Sequence, residues 1–187
     1  VYLHGLVRTR EGKKMSKSDP LTCIDPLESI RDYGTDALRL ALIQGTGPGQ
    51  DLRLYPEKLE SCRRFGNKVW NAGRYILMNI PSGTSLDPPQ NVQNEAARWL
   101  LHELDLLIGK TRQGLEAFRL SEVIDNLRSF FWGKFCDWYV EFAKPVLGLQ
   151  ETKERKETQQ TMAWALDQCL IILHPIMPFI TEELWDS

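Results

Sequence analysis

Two lysines three residues apart, Lys14 and Lys17, sit in the run Lys14-Met15-Ser16-Lys17-Ser18. Ammonium groups at that separation can both reach one polyanion, each as a flexible point charge able to follow a phosphate whose charge shifts during a reaction. The serine hydroxyls at 16 and 18 can tether the loop or contact phosphate directly. A basic cluster in isolation is more often a solvated loop than a site, so its weight depends on the rest of the chain. Other chemistries find less support. The cysteines at 23, 62, 136 and 169 and the histidines at 4, 102 and 174 are too scattered for a local zinc site, and reduced structural thiols are expected. His174, between Leu173 and Pro175, reads as a packed, hydrogen-bonded residue rather than a catalyst. No G-x-x-x-x-G-K-[ST] loop occurs.

The elements that must hold the lysine-serine loop can be read from its flanks. Val1, Leu3 and Leu6 form an extended apolar lead-in with no cap before it, so the chain is expected to be part of something longer. Thr9-Arg10-Glu11-Gly12 is a turn. After the loop, Asp25-Pro26-Leu27-Glu28 predicts a helix start, with Asp25 as N-cap, Pro26 in the first helical position and Glu28 closing a capping box. That helix ends at Tyr33-Gly34. Thr35 is then expected to cap a second helix carrying Ala37, Leu38, Leu40, Ala41 and Leu42. Gly45-Thr46-Gly47-Pro48-Gly49 breaks it, and Asp51 to Leu54 is extended.

Beyond Pro56 the pattern is helical. A long helix is expected from Pro56 to about Ile80, followed by a Pro- and Gly-containing linker over 81–89. Three more follow: 95–118 with Leu100, Leu104, Leu107, Ile108 and Leu115 inward, 121–143, and 152–173. A last turn is expected to start at Thr181. The 121–143 helix is rich in rings, and Phe130, Phe131, Phe135, Trp138, Tyr139 and Phe142 are assigned to the core. The fold class is therefore mainly α. A short α/β remnant over 1–55 precedes an antiparallel helical bundle over 56–187.

Composition narrows the partners. With 187 residues, 42% hydrophobic and 26% charged, the chain can bury one sizeable core. No apolar run approaches a membrane span. The net charge of -2 argues against a strongly basic nucleic-acid binder. It is unevenly spread, however. Residues 1–80 carry 13 Lys and Arg against 9 Asp and Glu, whereas 81–187 carry 10 against 16. That division suits one face for a polyanion on an otherwise acidic scaffold. On the helix from Pro56, residues Arg64, Lys68, Asn71 and Tyr75 line one stripe, while Phe65, Val69, Ala72 and Ile76 turn towards the core. Two cations, an amide and a ring are the means by which proteins read single-stranded RNA loops. A solvated polar face is the competing reading.

The lysine-serine loop matches the signature of class I aminoacyl-tRNA synthetases, and the chain resembles the valyl-tRNA synthetases over essentially its whole length. The resemblance rests on Val1 to Arg8 (VYLHGLVR), Gly12 to Ser18 (GKKMSKS), Ile24 to Leu27 (IDPL), Tyr33 to Arg39 (YGTDALR), Gly45 to Leu54 (GTGPGQDLRL) and Asn67 to Ala72 (NKVWNA). Late in the chain it adds Phe135 to Tyr139 (FCDWY) and His174 to Trp185 (HPIMPFITEELW). It implies ATP-dependent activation of valine and its transfer to tRNA(Val) in a cytoplasmic, monomeric ligase, with Mg2+ accompanying ATP and no protein-bound metal in this stretch. Lys14, Met15, Ser16, Lys17 and Ser18 would bind ATP. Lys17 would stabilise charge on departing pyrophosphate, with Lys14 assisting. The Arg64–Tyr75 stripe would lie at the entrance to the anticodon-binding domain. Two departures stand out. Asp19-Pro20-Leu21-Thr22-Cys23 replaces a shorter segment with a glycine, placing a carboxylate beside the loop and a proline within it. The family's two-histidine motif is absent from these residues. A free-standing, non-catalytic RNA-binding helical module derived from a synthetase is the alternative.

Overall fold

The computed structural model describes residues 4–16, 23–148 and 150–187. Its elements run β1 (Val7–Arg8), α1 (Pro26–Tyr33), α2 (Thr35–Ile43), β2 (Leu52–Arg53), α3 (Pro56–Asn79), α4 (Glu95–Glu116) and α5 (Leu120–Ser129). A π-helical segment (Phe130–Val140), α6 (Glu141–Leu147), α7 (Lys153–Leu173) and α8 (Pro178–Trp185) complete them. The chain is mainly α, with a two-stranded remnant before a bundle of long helices.

Helix starts follow local chemistry. The Asp25 carboxylate accepts from the Leu27 and Glu28 amides at 2.7 and 3.3 Å, and Pro26 occupies the first turn. The second helix departs from expectation. Thr35 lies inside α2, and Gly34 serves as the cap of both α1 and α2. Its φ of 91° is left-handed, which glycine adopts without a Cβ clash, so two helices meet at a corner with no linker. At the far end, Pro178 starts α8 in place of Thr181. Thr181 is fully buried and spends its hydroxyl on the Met177 carbonyl at 3.0 Å.

One hydrophobic cluster runs from Ala37, Leu40 and Ala41 of α2 through Leu59, Phe65, Val69 and Ile76 of α3 to Leu184 of α8. On α4, Leu100, Leu104 and Leu107 are buried as expected, but Leu115 is 48% exposed because the helix ends one residue later. The aromatic helix carries the largest correction. Phe130, Phe131, Phe135 and Tyr139 are core, whereas Trp138 and Phe142 are 58% and 52% exposed. Its middle is π-wound, and i→i+5 bonding widens each turn, so the inward face falls at intervals of four and five rather than three and four. Phe65 and Phe135 pack edge-on against Phe131 at 6.2 and 5.8 Å.

Candidate ATP loop and nucleic-acid interface

The lysine-serine loop rises from a hairpin. The Thr9 amide donates to the Lys13 carbonyl at 2.8 Å and the Gly12 amide to Thr9 at 3.0 Å, closing the expected turn. Arg8 and Lys14 then face each other in an antiparallel bridge. Met15 packs against the core while Lys14 and Ser16 are exposed. The apolar side chain thus anchors the strand and leaves the Lys14 charge in solvent. Lys17 and Ser18, the other expected loop ligands, lie outside the described residues. Beyond them, Cys23 and Ile24 line an open cleft of about 520 Å3 together with Arg10, Lys13, Met15 and Tyr55.

Two sequence motifs hold this hairpin in place by pairing with each other. β1 and β2 are parallel, Val7 opposite Leu52 and Arg8 opposite Arg53. Asp51 accepts from the Leu6 amide at 2.8 Å and from the Arg8 guanidinium, which also donates to the Gly12 carbonyl at 3.2 Å. The Leu6 amide and the Arg8 side chain hold the Asp51 carboxyl below its ordinary range. Gly5 permits the approach, because a Cβ there would lie 1.9 Å from the Gln50 carbonyl oxygen. Gly5→Ala is therefore expected to cost about 1–3 kcal/mol through forced backbone displacement. Thermal unfolding should show a lower midpoint, and an unchanged one would contradict this packing.

The α3 stripe lies on the solvent side, with Phe65, Val69 and Ile76 buried behind it and Ala72 partly so. Its charges are engaged. Arg64 donates to Glu60 at 3.3 Å. Lys68 bonds Asp137 at 2.9 Å and sits 4.5 Å from the centre of the Trp132 ring. Asn71 is exposed. Tyr75 is half-buried, with the Lys144 ammonium 6.0 Å from its ring centre. The two pairings, 68 with 137 and 75 with 144, link α3 to the aromatic rod formed by the π-helical segment and α6, with both running the same way. Sequence spacing also missed an exposed pair of rings, Trp138 and Phe142, with centres 5.7 Å apart. Exposed rings can stack unpaired bases. Their i, i+4 relation was visible, but the π winding that turns them outward was not.

His174 is bonded to Thr181 at 2.8 Å and packs against Trp185, as a structural histidine would. Burial raises the thiols of Cys62, Cys169 and Cys136, the last to about 12, leaving them poor nucleophiles. Among the described residues no group of three or more His, Cys, Asp or Glu is arranged to hold a metal ion, and no helix is long and apolar enough to cross a membrane.

The chain is similar to known proteins along essentially its whole length. Residues 1–55 match the family model described as tRNA synthetases class I (I, L, M and V), and residues 97–187 match the anticodon-binding domain of tRNA ligase. The chain belongs to the class I tRNA synthetase family. Within it, the chain is 44% identical to valine–tRNA ligase of Nitratidesulfovibrio vulgaris over 100% of its own length and 21% of that protein's. It is 46% identical to that of Halalkalibacterium halodurans over 99% and 21%. It thus spans about a fifth of the length of these curated relatives. Among solved structures, the fold resembles Agrobacterium radiobacter K84 LeuRS in a ternary complex with tRNA and LeuAMS. That similarity has a TM-score of 0.79 at 24% identity and covers 97% of this chain and 21% of that one. Mycobacterium tuberculosis methionyl-tRNA synthetase with methionyl-adenylate gives 0.72 at 18%, over 98% and 37%.

Proposed function

We propose that the protein carrying this chain activates valine with ATP and transfers it to tRNA(Val), and that these residues supply its ATP loop and its anticodon-binding bundle. The observation that carries the reading is a single folded unit. It joins an exposed lysine on a core-anchored hairpin to a bundle whose α3 and aromatic rod display cations and rings side by side. The relatives named valine–tRNA ligase along the whole chain support the choice of amino acid.

In this reading Lys14, Met15, Ser16, Lys17 and Ser18 form the loop. Lys14 and Lys17 meet the triphosphate, whose Mg2+ arrives with the nucleotide. Residues 1–55 serve the catalytic fold and 56–187 the tRNA. The RNA face comprises Arg64, Lys68, Asn71 and Tyr75, extended by Trp138 and Phe142. The protein works as a cytoplasmic monomer.

Valine-dependent ATP–pyrophosphate exchange by the full-length protein, followed by charging of a tRNA(Val) transcript, tests it. The 187 residues alone should show no exchange above a no-protein control, since they contain neither the two-histidine motif nor an assigned valine pocket. Exchange by the isolated chain would sink that division of labour. A full-length protein that binds the transcript without catalysing exchange would instead favour the RNA-binding module.

A further inference from the structure

Two stretches of the sequence, Tyr33 to Arg39 and His174 to Trp185, belong to neither the ATP loop nor the RNA stripe, and they meet in the fold. The Asp36 carboxylate accepts from the Ile180 amide at 2.8 Å and the Phe179 amide at 3.4 Å. It thereby caps the first turn of α8, whose own N-cap residue, Met177, makes no side-chain cap. Ile180 packs against the core, and the Phe179 ring beside it is left 65% exposed. A ring carried on a fastened backbone loses little freedom when something settles on it.

Phe179 lines a pocket of about 280 Å3 where α1, α2, α3 and α8 converge. Tyr33 brings a second ring, and α3 adds Arg63 and Asn67. Two of the polar groups are already engaged, Asp36 by the α8 amides and Arg63 by Glu60 at 3.0 and 3.3 Å. Asn67 is exposed, and among the described residues its amide has no hydrogen-bond partner. That amide offers two donors and an acceptor. The chemistry that fits is a flat, neutral heterocycle. An anion would meet α8 amides held by a carboxylate and a guanidinium that is already paired. The volume lies below the roughly 300–1,000 Å3 of sites for whole small molecules, which suits a group delivered on a tether. Asn67 lies on α3 between Arg64 and Lys68, so RNA held by those cations runs close to the pocket. Helical rise places Asn67 about 12 Å from Tyr75, towards the end of α3 that follows β2 and the ATP-loop hairpin.

We propose that this pocket receives an unpaired base of the tRNA from outside the anticodon, with Phe179 and Tyr33 stacking on it and Asn67 bonding its edge. The inference rests on the proposed function. It adds a second point of base recognition, separate from the Tyr75 stripe and nearer the catalytic residues.

The experiment uses the full-length protein with Phe179→Ala, Phe179→Tyr and Asn67→Ala. Phe179→Ala should weaken binding of a tRNA(Val) transcript about tenfold, the worth of one stacked base. The factor should be the same for a transcript with an altered anticodon, and the salt slope should not change, because no phosphate contact is lost. Phe179→Tyr, which keeps a ring, should stay within about twofold of the unsubstituted protein, and Asn67→Ala should lose less than Phe179→Ala. Base-specific chemical probing of the bound transcript should find an unpaired base outside the anticodon that is protected by the unsubstituted protein and exposed again in Phe179→Ala. Unchanged affinity, a loss confined to the normal anticodon, a reduced salt slope or protection that survives Phe179→Ala would each overturn the proposal. Equal losses in Phe179→Ala and Phe179→Tyr would overturn it in favour of a structural role. A free nucleoside monophosphate that stays bound beside the transcript in equilibrium dialysis, and is lost in Phe179→Ala, would overturn it in favour of a small-molecule site. If the unsubstituted protein binds no transcript, the proposed function has failed, and a labelled single-stranded RNA tetramer decides the pocket alone. Tetramer binding lost in Phe179→Ala supports the pocket, and binding that is absent or equal in the two proteins overturns it.

Discussion

Lys17→Ala in the full-length protein is expected to lower the rate constant for adenylate formation by about 10²–10³ while leaving ATP affinity far less changed. Negative charge grows on the departing pyrophosphate as the bond to the α-phosphorus breaks. An ammonium placed for that charge therefore acts more strongly in the transition state than in the bound substrate. Lys14→Ala should act in the same direction with a smaller effect. Its backbone is held in the bridge with Arg8, and Met15 fixes the strand from the core side. Truncating the exposed Lys14 side chain thus removes charge without loosening the hairpin. Pre-steady-state kinetics separate the two constants. A large rise in the ATP dissociation constant with an unchanged forward rate would mean that the lysine only holds the ground state.

How far the sequence made this fold and site legible depended on the range of the interaction. Asp25-Pro26 announced α1 because a cap is a matter of two or three residues, and the long apolar periodicities announced the bundle. The chain from Gly45 to Leu54 was recognisable as a break and an extended piece. Nothing local, however, said that Asp51 would reach back to Leu6 and Arg8. Lys68 read as a free cation because its partner Asp137 lies 69 residues away. Thr35 failed as a cap because Gly34 already filled that position for two helices. The inward set of the aromatic rod failed for a different reason. Pattern reading presupposes an α period, and the π winding changes the period itself.

Tyr75→Ala is expected to weaken binding of a tRNA(Val) transcript by roughly ten- to hundredfold, the worth of one stacked base. The ring is half-buried against the bundle, so one face is fixed by packing. Over it stands Lys144, drawn to Glu141 at 2.6 and 2.7 Å. A base settling on Tyr75 has only to displace a flexible ammonium that keeps its carboxylate partner. In the proposed reading a base, not a phosphate, makes this contact, so the loss should be smaller for a transcript with an altered anticodon. Lys68→Ala should behave differently. Its ammonium must be shared between Asp137, the Trp132 ring and an incoming phosphate, so the variant should weaken both transcripts alike and reduce the salt slope by about one charge. The Asp137 pairing makes that loss smaller than an unengaged lysine would give. Affinities measured for both variants across salt concentrations decide the matter. Values equal to those of the unsubstituted protein would make the stripe a solvated polar face, with RNA recognition elsewhere on the bundle.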